Sequence, residues 1–303
     1  MRPLRLLPLL TLLLPLVLTS GCSIKQIALN AVADELSGGT GGSFTNDPDL
    51  QFIGEALPFG LKLMEGINDG VPEHVAMKLT LASGFTQYAA VYVEWPAEQL
   101  KYSDYEEHRR QMQRAKQFYL RAHNYALDGL DLIHPDFRSR LVEDMDALMA
   151  EMTVDDVPLL FWMGGSLLSA ASTDLEDPEM FIALPIGGKA VLRAYELDPG
   201  WSEGFIAGTL ISLEPNLPGP DPYGRSEKRY EEAVKASGDK NAGNHVSLAT
   251  AVALKQQDKE RFVALLEKAL SYDLDADPDN RLANDYAQQK ARFLLEHLDD
   301  LFL

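Results

Sequence analysis

From about residue 50 almost to residue 300, apolar side chains recur at three- and four-residue intervals, the period of one helix face. Phe85, Tyr88, Tyr92 and Trp95 fall at i, i+3, i+7 and i+10, which predicts one aromatic face on a helix starting near His74. Residues 157–172, VPLLFWMGGSLLSAAS, are apolar nearly all round and predict a helix that is buried on every side or lines an apolar channel. Strand-like alternation is scarce; VAMKLTL at 75–81 is the best example, and it suits a helix equally well. Helix stops are predicted at Gly70-Val71-Pro72, His134-Pro135, Asp198-Pro199-Gly200 and Asp277-Pro278. The stretch from Glu214 to Gly224, EPNLPGPDPYG, predicts the longest irregular loop, because four prolines and two glycines cannot hold a regular helix.

The stops recur with a pattern. Ala194 precedes Pro199 by five residues, and Ile67–Pro72 and Leu130–Pro135 repeat that offset; EKALSYDLDADP at 267–278 is a stretched version. Such tails resemble the end of a tetratricopeptide repeat, where a helix terminates at Pro before the turn into the next unit. The prolines are 63, 64 and 79 residues apart, so each interval is near two units of about 34 residues. The Trp and Leu-Gly of the usual first helix are mostly absent. The expected fold is therefore all-α, with antiparallel helix pairs forming a degenerate tetratricopeptide-repeat solenoid; a plain helical bundle is the alternative.

The first residues follow a different rule. MRPLRLLPLLTLLLPLVLTSG at 1–21 has a basic start in Arg2 and Arg5, an apolar run from Leu6 to Leu18 and small residues Thr19, Ser20 and Gly21. That is the layout of a secretory leader, too short and too proline-rich for a membrane-spanning helix. The single cysteine, Cys22, stands directly after it. The segment resembles a bacterial lipoprotein signal, although Leu18 lies four rather than three residues before the Cys. Cys22 is thus the expected lipidation site and mature N-terminus, with the leader cleaved. Ser23 is compatible with the outer membrane. The expected organisation is a signal peptide at 1–21, a lipidated N-terminus with a short helix and a Gly-rich tether at 22–49, and a helical-repeat domain at 50–303.

Charge narrows the partners. The chain carries 27 Lys and Arg against 46 Asp and Glu, and loss of Arg2 and Arg5 takes the net charge from −19 to −21. Phosphate repels such a surface, which argues against nucleic acid. It also repels anionic headgroups, leaving membrane attachment to the lipid. No cysteine remains for a disulfide, a metal or a nucleophile. The six histidines show no metal-ligand spacing, and Ser166 lacks the second glycine of a nucleophile elbow. Asp155-Asp156 and Asp299-Asp300 are sequence neighbours about 100° apart on a helix, so they cannot flank a bond as hydrolase carboxylates do. The expectation is a non-enzyme with no catalytic residue, metal or cofactor.

Several stretches together resemble the TatT family, the lipoprotein T-component associated with some tripartite ATP-independent periplasmic (TRAP) transporters. They include ALPFGLKLMEGI at 56–67, ASGFTQYAAVYVE at 82–94, YLRAHNYALDGLDLIHPDF at 119–137, DVPLLFWMGGS at 156–166 and RLANDYAQQKARFLLEHLDDLF at 281–302. The resemblance implies a helical fold of cryptic repeats, a lipid anchor on the periplasmic side, a homotrimer, and a separate TRAP-type substrate-binding protein as partner. The alternative is an envelope scaffold lipoprotein unrelated to transport.

Two residue sets are candidates for function. Phe85, Tyr88, Tyr92, Phe161, Trp162 and Gly165 are expected either to pack the core or to border one apolar ligand passage. Arg281, Asn284, Asp285, Gln288 and Arg292 share a stripe of the last long helix, with Arg281 and Asp285 at ion-pair spacing. The stripe reads as a wet face or as a surface for a partner or polar ligand group. The anchor is tested directly by Cys22→Ser: the variant is expected to stay unlipidated and to keep its leader. Processing and fractionation identical to wild type would refute lipidation.

Overall fold

The computed structural model describes residues 25–38, 46–174, 176–217 and 219–302. The predicted leader, the lipidation of Cys22 and most of the glycine-rich tether lie outside them. Among the described residues there is no strand. Helix α1 covers 25–38, and α2 (Leu50–Gly70), α3 (Val75–Ala89), α4 (Trp95–Gln99) and α5 (Tyr105–Ile133) follow. Next come α6 (Phe137–Glu143), α7 (Met145–Glu151), α8 (Val157–Ser172), α9 (Pro178–Leu197) and α10 (Trp201–Leu213). The last elements are α11 (Pro222–Ala236), α12 (Ala242–Leu248), α13 (Lys259–Leu270), α14 (Arg281–Glu296) and α15 (Leu298–Leu301). The 75–81 segment is helical, and His74 starts its helix by accepting from Met77 N at 3.0 Å.

Local chemistry explains many boundaries. Asp49, Asp104, Asp144 and Asp258 each accept a bond from the backbone three residues on, satisfying a donor that the helix itself leaves free. Pro72, Pro135 and Pro199 each stand just beyond a helix end, while Pro278 opens a 3-10 turn. Pro222 occupies the first turn of α11, where its missing N–H costs nothing, so the irregular stretch after Glu214 is shorter than its proline content suggests.

Successive helices pack side by side. The closest pair is α8 and α9, joined by a short link and therefore antiparallel. A Cβ on Gly164 would lie 2.7 Å from the Gly187 carbonyl oxygen, and one on Gly187 would lie 2.8 Å from Leu168 Cγ. Both positions need glycine because the backbones nearly touch. This pair, with α5 to α7 and α10, encloses one core group around Leu130, Phe137, Leu160 and Ile206. A second group around Met77, Leu81, Phe85 and Tyr119 joins α2, α3, α5 and α8. α1 belongs to it: Ala33 is fully buried there, Gln26 donates to the Gly70 carbonyl at 3.1 Å, and His74 meets Asp34 at 2.9 Å. A third group joins α12, α13 and α14.

The C-terminal helix closes the array. Trp95 at the start of α4 packs edge-on against Phe293 and Tyr286 of α14, at 5.3 and 6.3 Å between ring centroids. α14 also contacts α2.

Gly164→Ala is expected to destabilise the protein by about 1–3 kcal/mol, the usual cost of overpacking. Gly165→Ala is the control, since its Cβ would meet only the Phe161 ring at 3.7 Å or more. Guanidinium unfolding of both variants measures the difference.

Candidate functional site

The aromatic face of α3 packs against α5. Phe85 stacks between Phe118 and Tyr125, each at 6.0 Å, and Tyr88 meets Phe118 edge-on at 5.2 Å. The Arg121 guanidinium lies over Phe85 at 5.2 Å, and Tyr125 donates to Glu65 at 2.8 Å. Phe85 and Tyr88 are buried. The regular stripe then breaks, because Ala90–Glu94 is a π turn. A π turn inserts one residue into the helical count and rotates everything after it. Tyr92 still tilts onto Tyr88 at 6.0 Å, but Trp95 leaves this group for α14.

Phe161, Trp162 and Gly165 lie elsewhere. Phe161 meets Trp162 at 5.0 Å, Trp201 at 5.4 Å and Phe205 at 5.4 Å. Phe161 and Trp162 are buried in the α5–α10 core group, whereas Phe85 and Tyr88 belong to the α2–α5 group. The six candidates thus divide between two packed clusters and do not meet around one passage.

The stripe on α14 also divides. Arg281 pairs at 2.6 Å with Asp275, in the turn before α14, rather than with its helical neighbour Asp285. Asn284 and Gln288 are buried, not wet. Asn284 accepts from Ala242 N at 2.8 Å and donates to the Lys240 carbonyl at 2.9 Å, fixing the start of α12. Gln288 donates to the Tyr272 carbonyl at 2.9 Å, satisfying backbone just beyond the end of α13, and accepts from Arg292 at 3.0 Å. Both side chains serve helix termini that would otherwise be unpaired.

A polar cluster that spacing cannot reveal lies where the chain closes. Tyr119 donates to Glu94. Lys290 sits 3.9 Å from Glu98 and over the rings of Trp95 and Tyr286 at 5.2 and 5.6 Å. Burial pushes Glu94 up to about 7, against the opposing Tyr119 bond. Burial works against the Lys290 ammonium, but Tyr286, Glu98 and Glu94 more than offset it and hold its pKa above the ordinary value. The hydroxyl of Tyr92 and the indole N–H of Trp95, in the same region, are buried without a hydrogen-bond partner. Beside the cluster, α10, α12 and α14 border a cleft of about 290 Å³, with Lys290 and Tyr286 in its wall.

No group of His, Cys, Asp and Glu among the described residues could hold a metal ion. None of the described helices is long and apolar enough to cross a membrane. A family model described as TRAP transporter T-component matches residues 46–302. An uncharacterized protein of Treponema pallidum (strain Nichols) is 26% identical over 313 residues, covering 95% of each chain.

Glu94 gives a signed pH prediction. Between its unfolded value of 4.5 and its folded value of about 7, the unfolded chain has lost a proton that the folded chain keeps. Its contribution to stability therefore falls as pH rises through that window. His245, buried and lowered to about 4 from 6.5, contributes with the opposite slope. Glu94→Gln removes only the first, so the wild-type-minus-variant difference in unfolding free energy is expected to decline from pH 4.5 to 7. A flat difference would show that Glu94 ionises normally.

Proposed function

This chain belongs to the TRAP transporter T-component family, and from that membership we propose a lipid-anchored periplasmic subunit that binds and organises a separate substrate-binding protein of a TRAP-type uptake system. One observation carries the reading: the family match at 46–302 spans the helical body from before α2 to the end of the described chain. Association with a TRAP system follows from the family, which is one of transporter components and not of enzymes.

The finer parts have their own support. Attachment falls to Cys22, which follows a secretory leader and small residues. More than one acyl chain on that residue would anchor it stably. The helix pairs are read as degenerate tetratricopeptide units because the stops at Pro72, Pro135 and Pro199 recur at nearly double that repeat's length. Self-association, as a homotrimer, and partner docking both need apolar surface. Phe52, Phe59 and Leu63 supply it on one outer face of α2, where they are 58%, 75% and 51% exposed. Phe181 and Ile182 supply more at the start of α9. A net charge of −21 disfavours contact through acidic faces, so the centres of such interfaces are apolar, with charge at the rim.

Sedimentation velocity of residues 23–303, at low and high salt, with and without a TRAP-type binding protein from the same gene neighbourhood, tests the reading. The expected result is a trimer that shifts further when the binding protein is added. Salt leaves it unchanged or strengthens it, by screening repulsion between acidic copies. The double substitution Phe59→Asp with Leu63→Asp is expected to weaken one of these associations. A strict monomer indifferent to the binding protein would overturn the proposal and favour an envelope scaffold.

A further inference from the structure

The cleft between α10, α12 and α14 is built unlike the apolar clusters around it. Its wall carries Asn244, Ser247 and Thr250 from one side, and Thr209 and Ser212 from another. Phe205 and Tyr286 add two flat aromatic surfaces. Asn244 is only 4% exposed, yet its side-chain amide makes no hydrogen bond among the described residues. Facing it is Gly208, where a Cβ would lie 2.7 Å from the Asn244 Oδ1. Any larger residue there would press on the amide, so the glycine leaves it clear. The two donors and one acceptor of this amide reach the open cleft, where a ligand can bond to them.

We propose that this cleft binds a small uncharged solute rich in hydroxyl groups, with the Asn244 amide as its central donor and acceptor. Three observations set the class. First, the wall offers the Asn244 amide and the hydroxyls of Ser212 and Ser247, while Thr209 and Thr250 donate to the Phe205 and Val246 carbonyls and keep their lone pairs for accepting, a set that matches a ligand whose groups both donate and accept. Second, Lys290 is the one charged side chain in the wall, and Glu98 lies 3.9 Å from it. That local balance gives a carboxylate no free counter-charge, while the ammonium repels a cation. Third, about 290 Å³ is at the lower edge of small-molecule sites, which suits a molecule of monosaccharide size. The aromatic surfaces of Phe205 and Tyr286 suit the C–H face of such a polyol. Asn284 positions the site without touching the ligand, since it ties the start of α12 to α14. The inference stands apart from the transport reading, because it needs neither a partner nor an anchor.

The test is calorimetric titration of the full-length chain, purified in a sugar-free detergent, with myo-inositol, D-glucose, D-ribose, succinate and choline. At least one of the three neutral polyols is expected to bind saturably. Asn244→Leu is expected to weaken it by about tenfold or more, the cost of the lost hydrogen bonds. Gly208→Ala is expected to weaken it as well, by displacing the amide. Ser247→Ala, which removes a half-buried hydroxyl without altering the packing, gives a smaller loss and guards against a folding defect in the other two. Circular dichroism confirms that each variant is folded. Tighter binding of succinate or choline than of every polyol would overturn the ligand class. No polyol binding up to concentrations on the order of 10 mM, or equal binding by folded Asn244→Leu, would overturn the site.

Discussion

Closure of the helical array depends on Trp95. A linear array of helix pairs touches only its immediate neighbours, so its two ends are independent. Here a side chain near residue 95 is buried against a helix that begins at residue 281. The indole spans Phe293 and Tyr286 and lies under the Lys290 ammonium at 5.2 Å. α14 is consequently held from two directions. Trp95 holds one side, while Asn284 and Gln288 hold the helix to α12 and to the end of α13 on the other. A wall fixed on both sides keeps the neighbouring cleft open against collapse.

That closure costs polar desolvation. It places Glu94, Tyr119, Glu98, Tyr286 and Lys290 in one neighbourhood and leaves the Tyr92 hydroxyl and Trp95 indole N–H without partners. Each unmatched buried group costs roughly 1–3 kcal/mol. An all-apolar junction would be cheaper. What the polar junction adds is register: Lys290 has to face Glu98, and the Tyr119 hydroxyl has to reach Glu94, which a slip along α14 or α5 would prevent. Depth and water access coexist there, because Lys290 lies deep in the protein but keeps 29% of its side-chain surface accessible.

Much of the fold was legible in the sequence, and the reasons are local. The helical period, the start at His74 and the stops before Pro72, Pro135 and Pro199 each depend on residues a few positions apart. The all-α fold could be read for that reason, while the family was legible only as a resemblance of ordered stretches along the chain. The path of the aromatic face could not, because a π turn at Ala90–Glu94 changes the count that the stripe assumes. Nothing in AVYVE marks that turn. The junction of Glu94 with Lys290 was illegible because nearly 200 residues separate them. Asn284 and Gln288 were misread for another reason: a polar helical stripe looks the same whether it meets water or the unpaired ends of two other helices.

The docking of α1 changes what an anchor would do. The glycine-rich stretch follows α1, so a tether read from composition would seem to free the body from the membrane. Yet α1 is itself part of the body, through buried Ala33, the Gln26 bond to Gly70 and the Asp34 contact with His74. Only Ser23 and Ile24 stand between Cys22 and the first residue of α1. Three peptide steps reach at most roughly 10 Å. With Cys22 acylated as proposed, the bilayer surface therefore lies close to the start of α1, and the α2–α3 connection that α1 grips is drawn toward it. The net charge of −21 then favours turning the acidic bulk away from anionic headgroups. A docked first helix on a short lipid leash restricts the orientations of the whole closed array, which a long tether would leave free.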